Sequence, residues 1–281
     1  MIRTASMKYL YESTKSLLNK MTEENGIKDL DKYLRPEACV TLNQVYEQAL
    51  SSLCNRYSMR NNIKFERQLE TKKNKFEKRW SEFKEIFLKF DPKRVKEAYP
   101  NVGYLESLIG HFNEELTLDK KIGSKKESRQ WWEFGEGAIS AAAFLSVFQD
   151  IGEFAFFVKG FQTNRKYQYA LPMLLEKEIS YFGFVLACDF LKEAGYVRYP
   201  KPDRHLMDVF EESGLSSRHD YEVFKAVIEL ADTVGETPYM VDKTIWLVCT
   251  GNFYFDKKKP TKHKKKELLD LCAKIKSKTP T

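Results

Sequence analysis

Over long stretches, apolar residues recur three or four positions apart, and the strict alternation of β-branched residues that marks a half-buried strand is missing. That period predicts helix through most of the chain, and no repeat is visible. Segment 40–55 sets Val40, Leu42, Val45, Leu50 and Leu53 near helical spacing. Segment 56–90 is charge-dense, with Phe65, Leu69, Phe76, Trp80, Phe83, Phe87 and Leu88 as a seam. Asp119 to Gln130 reads as a polar loop, with Trp131 and Trp132 after it. From Gly135 to Phe161 the chain turns apolar and aromatic, which predicts core helix broken near Gly152 and Gly160.

The most informative segment runs from Ile179 to Phe210, ISYFGFVLACDFLKEAGYVRYPKPDRHLMDVF. Residues 169–178 form a helix, and Ile179 to Gly183 form a short break containing a glycine. Phe184 to Ala194 is apolar nearly all round, the pattern of a central buried helix. Gly195 suits its C-terminus. The Pro-flanked loop YPKPD follows, then a helix starting near Asp203 or Arg204.

Composition narrows the class. Of 281 residues, 42% are hydrophobic and 14% aromatic, enough to bury a core. Glycine and proline are sparse, at 13 and 9. The net charge of +7 is uneven: from Lys257 to Thr281 ten Lys stand against Glu267 and Asp270, or +8, which leaves the other 256 residues at about −1. This excludes an evenly basic body and predicts a Lys-rich tail that acts as a solvated arm, apart from the amphipathic piece ELLDLCAKI. Residues 56–79 carry nine Arg and Lys against Glu66, Glu70 and Glu77, a solvated helix face or a phosphate-contacting one. Cys39, Cys54, Cys188, Cys249 and Cys272 are odd in number and scattered, which fits a reducing compartment and predicts no zinc or iron–sulfur site. With no secretory leader and no membrane-length apolar run, the expectation is an intracellular protein, in the cytoplasm at the nucleoid or in the nucleus.

The segment from Ile179 onward resembles the helix-hairpin-helix DNA glycosylase superfamily. That family's hairpin reads roughly Leu-Pro-Gly-Val-Gly-x-x-Thr-Ala, followed by a buried helix and a loop bearing the catalytic Asp. Ile179 falls on the Leu, Phe182 on the Val, Gly183 on the second Gly and Ala187 on the Ala. Asp203 follows Ala187 by 16 residues, the family's spacing, within Pro-Asp-Arg-His-Leu. Ser180 replaces the Pro, Tyr181 the first Gly and Leu186 the Thr. Val185 stands where lyase members carry a Schiff-base Lys, with Lys201 and Lys243 the nearby amines that could substitute. The residues TPYMVDKTIWLVCTGNFY look like the closing helix of some members. The resemblance is strongest over 179–210 and extends over roughly 135–255.

The resemblance implies an all-α protein with a glycosylase-like core at 96–256, a helical N-terminal appendage at 1–95 and the tail at 257–281. It implies excision of a damaged or modified base from double-stranded DNA by a monomer, without cofactor or metal, in base-excision repair or against modified phage DNA. Asp203 would be catalytic, and Ser180, Tyr181, Phe182, Gly183, Phe184, Lys201 and Arg204 would contact DNA. Large side chains at the hairpin tip, Tyr181 and Phe182, would be hard to bury locally.

Other readings of the same residues stay open. An Asp before a helix is an ordinary N-cap. Asp189, the rival acid inside an apolar helix, reads as a buried hydrogen-bonding group, and His205 reads as structural. Asp242 and Lys243 read as a surface pair, and Gln149 and Asp150 as helix ends. The alternatives for the whole chain are a DNA-binding protein of the same fold without catalysis, and a helical RNA-binding or assembly protein.

Overall fold

A computed structural model describes residues 2–56, 80–116, 118, 120–256 and 263–277. The chain is all-α: no strand occurs among the described residues. The basic stretch 57–79 and Lys257, Lys258, Lys259, Lys262 and Lys278 lie outside them. The helices are α1 (Ile2–Asn25), α2 (Asp31–Leu34), α3 (Leu42–Leu53), α4 (Pro92–Ala98), α5 (Leu105–Glu115), α6 (Arg129–Leu145), α7 (Ile151–Phe161), α8 (Arg165–Glu178), α9 (Phe184–Glu193), α10 (Arg204–Glu212), α11 (Asp220–Val234), α12 (Pro238–Thr250) and α13 (Lys265–Lys276). Residues 80–86 are also helical.

The chain forms two compact units, one of Met1–Glu37 with Leu191–Thr281, the other of Ala38–Phe190. This division falls elsewhere than at residues 95 and 256. The reason lies in α1, whose Met7, Leu10, Tyr11, Leu18 and Met21 are buried with Leu206, Phe210, Val227 and Ile245. The first helix is therefore a core element of the discontinuous unit, and burial of that stripe outweighs its polar composition.

Within the Lys-rich tail, the amphipathic piece ELLDLCAKI lies in a docked helix. Residues Lys265–Lys276 form α13, whose Leu268, Cys272 and Ile275 are buried in the same core. Lys264 pairs with Glu24 at 3.1 Å, and Lys265 with Asp208 at 2.5 Å. The amphipathic piece docks because three apolar side chains at helical spacing leave water together.

The second unit is built on α6, against which α3, α4, α5 and α8 pack. Phe83, Phe87, Phe112 and Phe134 form a ring cluster with centroids 5.6–6.2 Å apart, in the range that aromatic pairs prefer. Trp131 joins it, 5.7 Å from Phe112 and 6.4 Å from Phe83. The apolar run after Gly135 breaks at 146–150, where Asp150 caps α7 through the Glu153 N–H. Gly152 and Gly160 lie inside α7, and the break falls where the Asp150 carboxylate can satisfy the helix start. Phe154 and Val158 of α7 are buried, whereas Phe156 is 77% exposed.

Helix α9 is buried as its pattern predicts, and Gly195 ends it at φ 101°. Asp189 on α9 is buried and accepts a 2.6 Å bond from Asn55, the hydrogen-bonding role expected of it.

Candidate functional site

The turn expected to be a hairpin begins where α8 ends. Ile179 is fully buried, and the Phe182 N–H donates to the Ile179 carbonyl at 3.1 Å, closing the turn. Tyr181 takes the left-handed conformation, φ 60°, at the position where the resembling motif has its first glycine. For a side chain with a Cβ this costs on the order of 1–2 kcal/mol, so the surroundings must hold it.

They do so from several sides. Arg56 donates to the Tyr181 carbonyl at 3.4 Å, and its guanidinium lies 5.2 Å from the Tyr181 ring centroid, within cation–π range. The Tyr181 hydroxyl donates to Glu136 at 3.3 Å. The Ser180 N–H donates to the Ser140 hydroxyl at 2.8 Å. Gly137 of α6 lets the hairpin approach: a Cβ there would stand 2.9 Å from the Ser180 carbonyl oxygen.

Behind this contact sits buried Glu133, which accepts from Arg129 at 2.6 Å and from Arg56 at 3.1 Å. Burial pushes its carboxyl up, and the hydrogen bonds and charges of Arg129 and Arg56 more than reverse this. Glu133 is thus held ionised, and it fixes the Arg56 that fixes Tyr181.

Phe182 corrects an expectation. Its side chain is 1% exposed and packs edge-on against Phe190, centroids 5.6 Å apart, so it is core and not a tip residue. Phe184 is likewise buried. The break turns these rings inward, leaving Ser180, Tyr181 and Gly183 as the partly accessible positions. A Cβ at Gly183 would meet nothing within 4 Å, so the surface there is open.

Asp203 lies in the other unit, at the N-cap of α10. Its Oδ1 accepts from the N–H groups of His205 at 2.8 Å and Leu206 at 3.2 Å. The cap uses one carboxylate oxygen; Oδ2 accepts no hydrogen bond among the described residues. The Asp203 N–H donates to the Lys201 carbonyl at 2.8 Å across Pro202. The Lys201 N–H in turn donates to Oδ2 of Asp242 at 2.6 Å. Arg204 is exposed beside the cap.

Asp242 and Lys243 correct a second expectation. Asp242 is 1% exposed and Lys243 is buried as well, both facing inward from α12. The Lys192 ammonium lies 3.2 Å from Asp242, and Lys243 lies 3.6 Å from Glu193 and 5.2–5.8 Å from the rings of Tyr239, Trp246 and Tyr254. A charged pair inside the apolar run PYMVDKTIWLVC was the available signal, and a surface reading was the wrong choice between its two meanings.

On the far side of the cap, Lys265 of α13 stands 3.3 Å from Nδ1 of His205. An ammonium can only donate, so Nδ1 accepts and the imidazole carries its proton on Nε2. Burial lowers the His205 pKa, as do the Lys265 and Arg204 charges, against the opposing charges of Asp203 and Asp208.

Of the predicted DNA-contacting residues, Phe182 and Phe184 are buried, whereas Ser180, Tyr181, Gly183 and Lys201 are partly accessible and Arg204 is exposed. Ser180, Tyr181, Phe182, Gly183 and Phe184 share one hairpin, and Lys201, Asp203 and Arg204 share one loop and helix start. Around them the sequence reading missed Arg56, Glu133 and Glu136 on one side and Lys192, Asp242 and Lys265 on the other. No group of three or more His, Cys, Asp or Glu suited to a metal occurs among the described residues. No described helix is long and apolar enough to cross a membrane. Comparison with family models, curated proteins and solved structures gives no match.

Proposed function

We propose that the protein is a DNA glycosylase of helix-hairpin-helix type that removes a damaged or modified base from duplex DNA. The observation that carries this reading is Asp203, whose cap bonds occupy only Oδ1. One oxygen fixes the carboxylate to the start of α10, and the other is left to act on a substrate. The left-handed Tyr181 at the motif's glycine position supports the same reading.

In this mechanism the base leaves the stack and enters a pocket. The C1′–N bond breaks with its electron pair going to the base, and positive charge builds on the sugar. The Asp203 carboxylate stabilises that charge and orients a water. The water oxygen bonds to C1′ and its proton goes to the departing base, leaving an abasic site. The hairpin around Ser180, Tyr181 and Gly183 holds a backbone phosphate without reading sequence. With Val185 at the lyase position and Lys243 buried behind three rings, Lys201 is the one nearby amine left that could substitute, and this reading takes the enzyme to be monofunctional.

The test is incubation with duplex oligonucleotides carrying uracil, hypoxanthine, 8-oxoguanine or 7-methylguanine, followed by alkaline cleavage. One base should be excised, Asp203→Asn should abolish excision, and borohydride should trap no covalent adduct. Full activity of Asp203→Asn would remove the mechanism. The capping bonds themselves favour a second reading, a DNA-binding protein in which Asp203 only caps. It expects duplex binding with no abasic site formed.

A further inference from the structure

We infer that Asp242 is a positioning residue for Asp203: from inside α12 it holds the loop that presents the catalytic carboxylate. The inference rests on the glycosylase reading. Its ground is a continuous set of hydrogen bonds. Oδ2 of Asp242 accepts from Lys201 N–H at 2.6 Å, the Lys201 carbonyl accepts from Asp203 N–H at 2.8 Å, and Oδ1 of Asp203 accepts from His205 N–H at 2.8 Å. One turn earlier on α12, the Tyr239 N–H donates to the Val197 carbonyl at 2.9 Å. Helix α12 therefore grips the loop at two points, on either side of Pro200.

The loop cannot hold itself. Pro200 and Pro202 donate no backbone hydrogen bond, so Lys201 and Asp203 carry the N–H groups available between Tyr199 and Arg204. Both are used, one on Asp242 and one on the Lys201 carbonyl. The prolines restrict the backbone, and the Asp242 bond selects one of the arrangements they allow.

A buried carboxylate is a costly way to supply one acceptor, since an asparagine or a backbone carbonyl would serve. Its charge is offset by Lys192 at 3.2 Å. Lys192 contacts Glu193 at 3.5 Å, and Glu193 contacts Lys243 at 3.6 Å, so the charges alternate through the cluster. The negative charges of Asp203 and Asp242 act on each other: burial raises the Asp242 carboxyl, and Asp203 raises it further against the opposing charge of Lys192. The bond from the Lys201 N–H to Asp242 fixes the backbone from which Asp203 projects.

Two double variants separate the acceptor from the buried charge. Lys192→Met with Asp242→Asn removes both charges and keeps an oxygen for the Lys201 N–H. Lys192→Met with Asp242→Leu removes the oxygen as well. Amide hydrogen exchange of residues 197–206 reads the loop without requiring activity. It should stay slow in the first variant and become fast in the second, with melting temperatures alike. Single-turnover excision from the duplex found active in the lesion panel should fall by about 10²-fold in the second variant, with duplex affinity unchanged and the first variant retaining most of the rate. Equal exchange and equal excision in the two variants would overturn the inference. A wild-type protein that excises nothing would overturn the glycosylase reading, while the exchange comparison would still decide whether Asp242 holds the loop.

Discussion

The Lys265 ammonium bridges two groups of α10, donating to the Asp208 carboxylate at 2.5 Å and to Nδ1 of the His205 imidazole at 3.3 Å. A residue from the Lys-rich end of the chain thereby reaches the turn that begins with Asp203. The Lys-rich end of the chain therefore contributes to the local order of α10.

That contribution changes what truncation does. Ending the chain after Asp256 removes the buried Leu268, Cys272 and Ile275 along with the lysines. Full burial of an aliphatic side chain contributes about 1.5–3 kcal/mol, so this truncation should cost about 4 kcal/mol of stability. Ending after Ser277 should leave urea denaturation unchanged. Equal midpoints for the two shortened chains would show that α13 does not hold the core.

Charge is better tested without cutting. Replacing Lys257, Lys258, Lys259 and Lys262 with Ser removes four charges outside α13. Duplex affinity should then fall less steeply with salt, by close to one unit in the log–log slope for each lysine that neutralised a phosphate. The outcome to watch is the slope from 50 to 300 mM salt; an identical slope would take these lysines out of DNA binding.

The α10 cluster should give the protein two acid transitions. Burial lowers the folded His205 pKa below its ordinary 6.5, so the unfolded chain takes up the proton first. Stability falls as pH drops through 6.5 and stops falling below the depressed folded value. Asp208 is raised by burial and lowered more by its bonds to Lys265 and Arg218, with a net depression from 3.8. Its contribution is complete above 3.8 and is lost as pH falls through the lower folded value. His205→Gln should flatten the melting temperature around the first transition, and Asp208→Asn around the second. Curves parallel to wild type in both would contradict the assignment.

Gly137 should not tolerate a methyl group. A Cβ there meets Leu53 at 2.8 Å and the Ser180 carbonyl at 2.9 Å. Leu53 can rotate, but the carbonyl belongs to the hairpin backbone. Gly137→Ala should cost about 1–3 kcal/mol by overpacking and weaken duplex binding. Unchanged denaturation would mean that the hairpin shifts freely.

Glu133 makes the complementary test from below the hairpin. Glu133→Leu removes two charge-assisted bonds and releases Arg56 from its fixed position under Tyr181. A loss of about 3 kcal/mol is expected from such bonds, with faster amide exchange over residues 179–183. A stable variant with slow exchange there would show that the contacts of Arg56, Glu136 and Ser140 hold Tyr181 without Glu133.

The sequence by itself determined the helices, because apolar spacing is a local property: α9, its end at Gly195 and the start of α10 at Asp203 are all legible in it. It also supplied Asp189 as a buried acceptor, since an acid between apolar neighbours in a central helix must find a hydrogen-bond partner. It could not say which of two meanings a polar residue takes when both are locally allowed. Asp242 and Lys243 sit in α12 with the spacing of either a surface pair or a buried one, and the partners Lys192 and Glu193 lie some fifty residues away. Phe182 turned inward because Phe190 offers it a ring to pack on, and the tail became α13 because α1, α10 and α12 leave a groove for Leu268, Cys272 and Ile275. Burial is a property of what else arrives at the same place, and only the tertiary structure decided that.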